Sequence, residues 1–223
     1  MRPPKKASPS KDETALLPPF PCLSLAQIVV PETPAQFERA AAEIAAAGVV
    51  GFDTESKPTF LKDEKSQGPH IMQFALQDKA YIFQLHHRFS HEVLVDLLQA
   101  ESLLKVGFGL ESDHAQVQSR LGVQIAAVLD LDRIFRQEGY PNSTGARAAV
   151  GIVFQQKFHK SKKITTSNWA EARLNERQLL YAANDAYVAL RVLEGLNRPL
   201  SDLPIAGLTR TQTQAGPSAP TTL

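Results

Sequence analysis

Three short apolar runs crowd the first half of the chain, and their spacing constrains the fold more than any other feature. They cover residues 49–53, 71–76 and 80–85, and only Gln77, Asp78 and Lys79 separate the second from the third. So short a link joins antiparallel neighbours, because a parallel return needs a crossover of a dozen residues or more. A strand meander is therefore expected. Ahead of it, Thr33 can cap a helix that has Pro34 at its first position and Gln36 three residues on. The apolar series Phe37, Ala40, Ala41, Ile44 runs along that helix to Gly48. Beyond the meander the periodicity alternates: a helix over 91–100, a strand over 103–108, a helix over 112–121, a strand over 127–131, and helices over 143–154 and 175–196. A meander followed by such units predicts an α/β fold, a mixed β-sheet flanked by helices on both faces.

At 223 residues the chain suffices for one well-buried core. The expected organisation is a flexible N-terminal tail over 1–24, rich in Pro, Lys and Ser, a domain over 25–200, and a flexible C-terminal tail over 201–223. No apolar run approaches the roughly 20 residues of a membrane-spanning helix, so no membrane association is expected. Cys22 is the single cysteine and can form no internal disulfide. The basic start lacks the apolar stretch of a secretory signal, and Asp12 with Glu13 is foreign to a mitochondrial presequence, which makes a cytoplasmic location the expectation. A net charge of +1 gives the whole chain no pull on polyanions; binding of nucleic acid has to rest on local charge and on bound metal.

The chemistry lies in acids set into this pattern. In GFDTES, Asp53 and Glu55 are two apart at a strand end, so both side chains leave one face. In KVGFGLESDHAQV a strand runs into a helix whose first turn carries Asp113 on the face it shares with Val117 and Leu121. An ordinary helix-start carboxylate is the alternative there. In QLLYAANDAYVALRVL, Tyr181 and Asp185 sit one above the other, while Ala182, Ala186 and Ala189 let that helix lie close to a sheet. A plain Tyr–Asp hydrogen bond in the core is the other reading. Four carboxylates brought together cannot all stay ionised unless cations neutralise them. All-oxygen ligands favour Mg²⁺ or Mn²⁺ over zinc, and the histidines show no zinc-type spacing with cysteine.

The motifs FDTES, VGFGLESD and YAANDA, with SNWAEARLNERQ leading into the last, resemble the DEDD superfamily of 3′-to-5′ exonucleases. The branch is the one that contains ribonuclease D and the Werner syndrome protein exonuclease domain, and the resemblance covers about residues 27–196. Leu180 stands where one subtype has histidine and Tyr181 is present, so the chain looks like the tyrosine type. Many relatives have a proline before the leucine of Ala172-Arg173-Leu174, and this chain does not. The resemblance implies a ribonuclease H-like fold and two-metal hydrolysis of DNA or RNA from single-stranded 3′ ends to nucleoside 5′-monophosphates. It also implies that Asp53 contacts both ions, that Glu55 and Asp185 serve the water-bearing one and Asp113 the other, and that Tyr181 orients the water. A non-catalytic nucleic-acid-binding adaptor on the same fold is the alternative.

Between the second and third motifs, QKFHKSKKITTSNW gathers Lys157, His159, Lys160, Lys162 and Lys163. Such a run is either a solvated loop or a clamp for phosphates, and Lys162 and Lys163 are the residues expected to contact substrate. Trp169 is expected to pack beneath the loop.

Overall fold

The computed structural model describes residues 3–59, 66–140 and 144–208. Along the chain run α1 (Lys11–Ala15), β1 (Ile28–Val29), α2 (Pro34–Ala47), β2 (Val49–Glu55), β3 (Ile71–Ala75), β4 (Ala80–Gln84), α3 (Arg88–Gln99) and β5 (Leu104–Gly107). After them come α4 (Glu111–Leu121), β6 (Val128–Asp130), α5 (Leu131–Gln137), α6 (Ala146–Phe154), α7 (Lys162–Thr165) and α8 (Glu176–Leu196). The six strands form one sheet in the order β1-β4-β3-β2-β5-β6. The expected meander β2-β3-β4 is antiparallel, β5 and β6 continue parallel to β2, and β1 lies parallel to β4. This is the mixed, helix-flanked α/β sheet that the periodicity predicts. The short elements β1, α5 and α7 carry too few residues to show a period, and the reading from sequence does not contain them. The start of the helix expected over 143–154 falls on residue 143, outside the described residues.

Alternation along β2 divides the molecule. Val50 and Phe52 are buried on one face with Phe37 and Ile44 of α2, Phe74, Phe83 and Leu94, and the Phe52 and Phe74 rings lie 5.2 Å apart. The opposite face receives α8. A Cβ at Gly51 would come within 1.9 Å of the Ala186 carbonyl oxygen, so glycine at this position lets the helix backbone touch the strand. The small residues Ala182, Ala183 and Ala186 continue the same close approach. Asn175 caps α8 by accepting from the Arg177 and Gln178 N–H groups, which sets where the helix starts and so the register of Tyr181 and Asp185.

The lead-in, expected to be a flexible tail, packs on the domain over its described part. Ser10 and Glu13 form a capping box on α1, and α1 lies against α6. Phe20 and Leu23 are buried. The Phe20 N–H donates to the Lys157 carbonyl at 2.9 Å and the Lys157 N–H to that of Pro18 at 2.7 Å. Leu23 is held on both sides by Asn184, which accepts from its N–H at 2.7 Å and donates to its carbonyl at 3.1 Å. A few buried apolar side chains and satisfied backbone groups outweigh the low-complexity composition. At the other end, Ala206 forms an antiparallel bridge with Val128 and Leu203 is buried; residues 209–223 of the expected tail lie outside the described residues. Among the described residues no helix is long and apolar enough to cross a membrane.

Candidate active site

At the C-terminal end of β2 the α8-facing side carries Asp53 and Glu55, and α8 brings Asp185 down onto them. One carboxylate oxygen from each of the three lies within 4.8 Å of the others. Asp113 arrives from α4 on the other side of the strand, where the Thr54 hydroxyl donates to its Oδ1. The structure thus joins three of the four expected acids in one cluster and places the fourth beside it, close enough for its charge to act on Asp53.

The electrostatics of this cluster are those of a site built for a cation. Burial first, then the charges of Asp113 and Asp185, pushes the Asp53 carboxyl well above its ordinary range. Burial and then the charge of Asp53 raise Glu55 to about 10. Asp113 is raised by burial against the pull of the Thr54 bond, and Asp185 is raised by burial against the attraction of Lys160. Like charges in a buried site protonate unless a cation joins them. Two further observations fit a divalent ion. Asp185 Oδ1 has no hydrogen-bond donor and Oδ2 meets only the Lys160 ammonium, and Gln73, fully buried on β3 directly opposite Asp53, has no partner for either amide atom. Acidic oxygens with open coordination are what a hard cation takes.

Tyr181 sits one turn before Asp185 on α8 and is 9% exposed. Its hydroxyl is hydrogen-bonded to Thr165 Oγ1 at 2.8 Å, and burial together with the Asp185 charge holds the phenol above its usual range. Trp169 is 1% exposed, donates from Nε1 to the Thr165 carbonyl at 3.1 Å, and lies 5.9 Å from the Tyr181 ring. It therefore supports α7 from below, as expected. Gln178 fastens the neighbouring turn by donating to Ser167 and to the Asn168 carbonyl.

The lysines of the basic loop take different positions relative to the acids. Lys162 and Lys163 are exposed on α7, and among the described residues neither forms an ion pair. Lys163 lines a cavity of about 460 Å³ that Tyr181 and Asp185 also line. The cation that enters the acid cluster is Lys160. Its Nζ lies 2.8 Å from Asp185 Oδ2, off the direction of a well-aligned hydrogen bond, and 5.5 Å from the centre of the Tyr181 ring. The Lys160 side chain is 39% exposed, while the Asp185 side chain it reaches is 2% exposed. Burial works against that charge, and Asp185 and Asp53 more than offset it, raising the ammonium above its ordinary range. Nothing in a run of lysines singles out the one that turns inward. Its partner Asp185 comes from α8, a contact that local periodicity does not reveal.

A family model described as 3′-5′ exonuclease matches residues 28–201. Among curated relatives, a 3′-5′ exonuclease of Arabidopsis thaliana is 30% identical over 160 residues, covering 70% of this chain and 54% of the relative. The bifunctional 3′-5′ exonuclease/ATP-dependent helicase WRN of Mus musculus is 29% identical over 150 residues, covering 66% of this chain and 11% of that protein. The chain thus spans about half or less of the length of these relatives. Among solved structures, Trypanosoma brucei RNase D in complex with RNA U12 superposes with a TM-score of 0.65 at 18% identity, covering 79% of this chain and 64% of that one. The fold is therefore ribonuclease H-like, and with a family model matched over most of its length, the chain belongs to the 3′-5′ exonuclease family.

Proposed function

We propose that the chain is a divalent-metal-dependent 3′-to-5′ exonuclease that hydrolyses DNA or RNA strands from their 3′ ends to nucleoside 5′-monophosphates. The observation that carries this reading is the convergence of Asp53, Glu55 and Asp185 within 4.8 Å, with Asp113 beside them. Asp53 lies between the two sides and would be shared by two ions, Mg²⁺ or Mn²⁺; Glu55 and Asp185 would hold one and Asp113 the other. Bound there, such ions supply Lewis acidity that makes a water nucleophilic near neutral pH and stabilises the departing 3′ oxygen.

The protein's own groups do the positioning. Tyr181 stays protonated and, with its hydroxyl fixed by Thr165, orients the attacking water instead of taking its proton. Lys160 acts as the resting counter-charge of Asp185 and would be free to contact a phosphate of the bound strand when a cation holds that acid. Lys160 takes over the phosphate contact expected of Lys162 and Lys163, which retain a weaker, screened attraction at the rim. The Trypanosoma brucei RNase D solved with RNA U12 supports a nucleic-acid ligand on this fold.

End-labelled linear strands compared with closed circles of the same sequence test this function, in Mg²⁺ or Mn²⁺ and with products sized over time. Stepwise loss of mononucleotides from 3′ ends with intact circles is the expected result. Cleaved circles, or no hydrolysis of any strand, would overturn it.

A further inference from the structure

A cavity of about 300 Å³ is lined by residues that include Phe108, Asp132, Gly145, Arg147, Ala148 and Lys160. Arg147 projects from the first turn of α6, and its Nη1 is enclosed without any hydrogen-bond partner. A guanidinium nitrogen in that state is unusual, because buried polar groups in folded proteins are almost always paired. The opposite wall is Lys160, whose ammonium also touches Asp185 at 2.8 Å. The cavity therefore lies within one lysine side chain of the acid cluster and presents two cationic groups, one of them unpaired. A planar guanidinium fork with an ammonium point charge suits a compact oxyanion that can accept several hydrogen bonds.

We propose that this cavity is a phosphate subsite for the bound nucleic-acid strand, in which Arg147 and Lys160 hold the phosphodiester adjacent to the one being cleaved. The proposal rests on the nuclease reading given above. A strand laid across the acid cluster carries its next phosphate a short step along the backbone, and Lys160, which lines the cavity, reaches Asp185 of that cluster. One group in the wall is acidic: Asp132 Oδ1 is enclosed and has no hydrogen-bond partner. Its carboxyl is raised to about 6 by burial and by Asp130, so it gains a proton readily beside anionic oxygens and can then donate to them. The rival account is that Arg147 and Asp132 are partners of each other, in which case the cavity holds nothing.

The two accounts separate in the full-length chain. Binding of a fluorescent single strand of about ten nucleotides, in Ca²⁺ to suppress turnover, is measured across salt concentrations for wild type, Arg147→Ala, Arg147→Gln and Asp132→Asn. With Arg147→Ala, affinity should fall about 10-fold and the slope of log affinity against log salt should flatten by about 0.7, the share of one phosphate contact on a single strand. A nucleoside 5′-monophosphate, which has no second phosphate, should bind wild type and Arg147→Ala equally. Arg147→Gln should repeat the flattened slope, which keeps the test valid if the alanine variant folds poorly, and Asp132→Asn should bind the strand at least as tightly as wild type. An unchanged slope, with Arg147→Ala and Asp132→Asn lowering Tm by coupled amounts in a double-mutant cycle, would overturn the subsite. Failure of the wild type to bind the strand at all would instead overturn the nuclease reading on which the subsite rests.

Discussion

The two faces of β2 are built on opposite principles, although they share one backbone. Toward α2 and α3, Val50 and Phe52 are fully buried among aromatic and aliphatic neighbours and need nothing further. Toward α8, Gly51, Asp53 and Glu55 create a close helix contact and then a cluster of acids that burial drives toward protonation. The apolar face is complete when the chain folds. On the proposed reading a bound cation completes the acidic face, where Lys160 already pairs with Asp185.

The sharpest way to break that contrast is to remove one residue from each face. Asp53→Asn or Asp185→Asn should eliminate measurable hydrolysis, and Asp53→Asn should leave the metal-free protein melting no lower than wild type, since a repelling charge has been removed, whereas Asp185→Asn also strips Lys160 of its partner and should lower Tm. Phe52→Ala should do the reverse, costing about 3 to 5 kcal/mol of stability by opening a cavity. Parallel calorimetry and turnover assays check both. Acid variants that unfold would make the acids structural and erase the distinction.

Tyr181→Phe probes the acidic face without changing its charge. Losing a hydroxyl positioned on a developing nucleophile costs on the order of 2 to 4 kcal/mol, so single-turnover rates should fall roughly 10- to 1000-fold. Mn²⁺ affinity should stay as in wild type. Unaltered rates would remove Tyr181 from the chemistry.

A third effect is the pH dependence of stability. Glu55 has its ordinary value of 4.5 in the unfolded chain and about 10 in the fold. Between those values the native state holds a proton that the unfolded state has released, so metal-free stability falls as pH rises, by up to about 1.4 kcal/mol per pH unit for one retained proton. The useful window is pH 7 to 8, above the ordinary value of His70, His86 and His114, which the fold pushes lower still, and below the point where buried Lys105, lowered to about 8, loses its proton in the fold and opposes the decline. Thermal melts in EDTA should show Tm declining across this window, and Mg²⁺ should flatten the decline by taking over the carboxylate charges. A flat profile without metal would mean that the acids are not mutually crowded.

The smallest effect belongs to Lys162 and Lys163. Neutralising both should weaken strand binding by less than about 3-fold at physiological salt, because exposed charges at the rim are screened. A larger loss, measured by strand anisotropy, would restore them as the main phosphate contacts in place of Lys160.

The contrast between the faces also marks what the amino-acid sequence makes legible. The strand meander, α8 and the acids at 53, 55, 113 and 185 could be read directly, because each depends on local periodicity of two or about four residues. The inward turn of Lys160 could not, since its partner Asp185 comes from another element and neighbouring lysines have the same local pattern. The docking of the lead-in was equally hidden: Phe20 and Leu23 are two apolar residues in a proline-rich stretch, and their partners, Lys157 and Asn184, lie more than a hundred residues away. Gln73 reads as one more residue of a strand until pairing sets it opposite Asp53.

The most direct test of the central claim is anomalous diffraction at the manganese edge from crystals of the full chain soaked in Mn²⁺. The account predicts one peak among Asp53, Glu55 and Asp185, a second between Asp53 and Asp113, and a Lys160 ammonium withdrawn from Asp185. Saturating Mn²⁺ that leaves no peak there, with Lys160 still paired to Asp185, would contradict it.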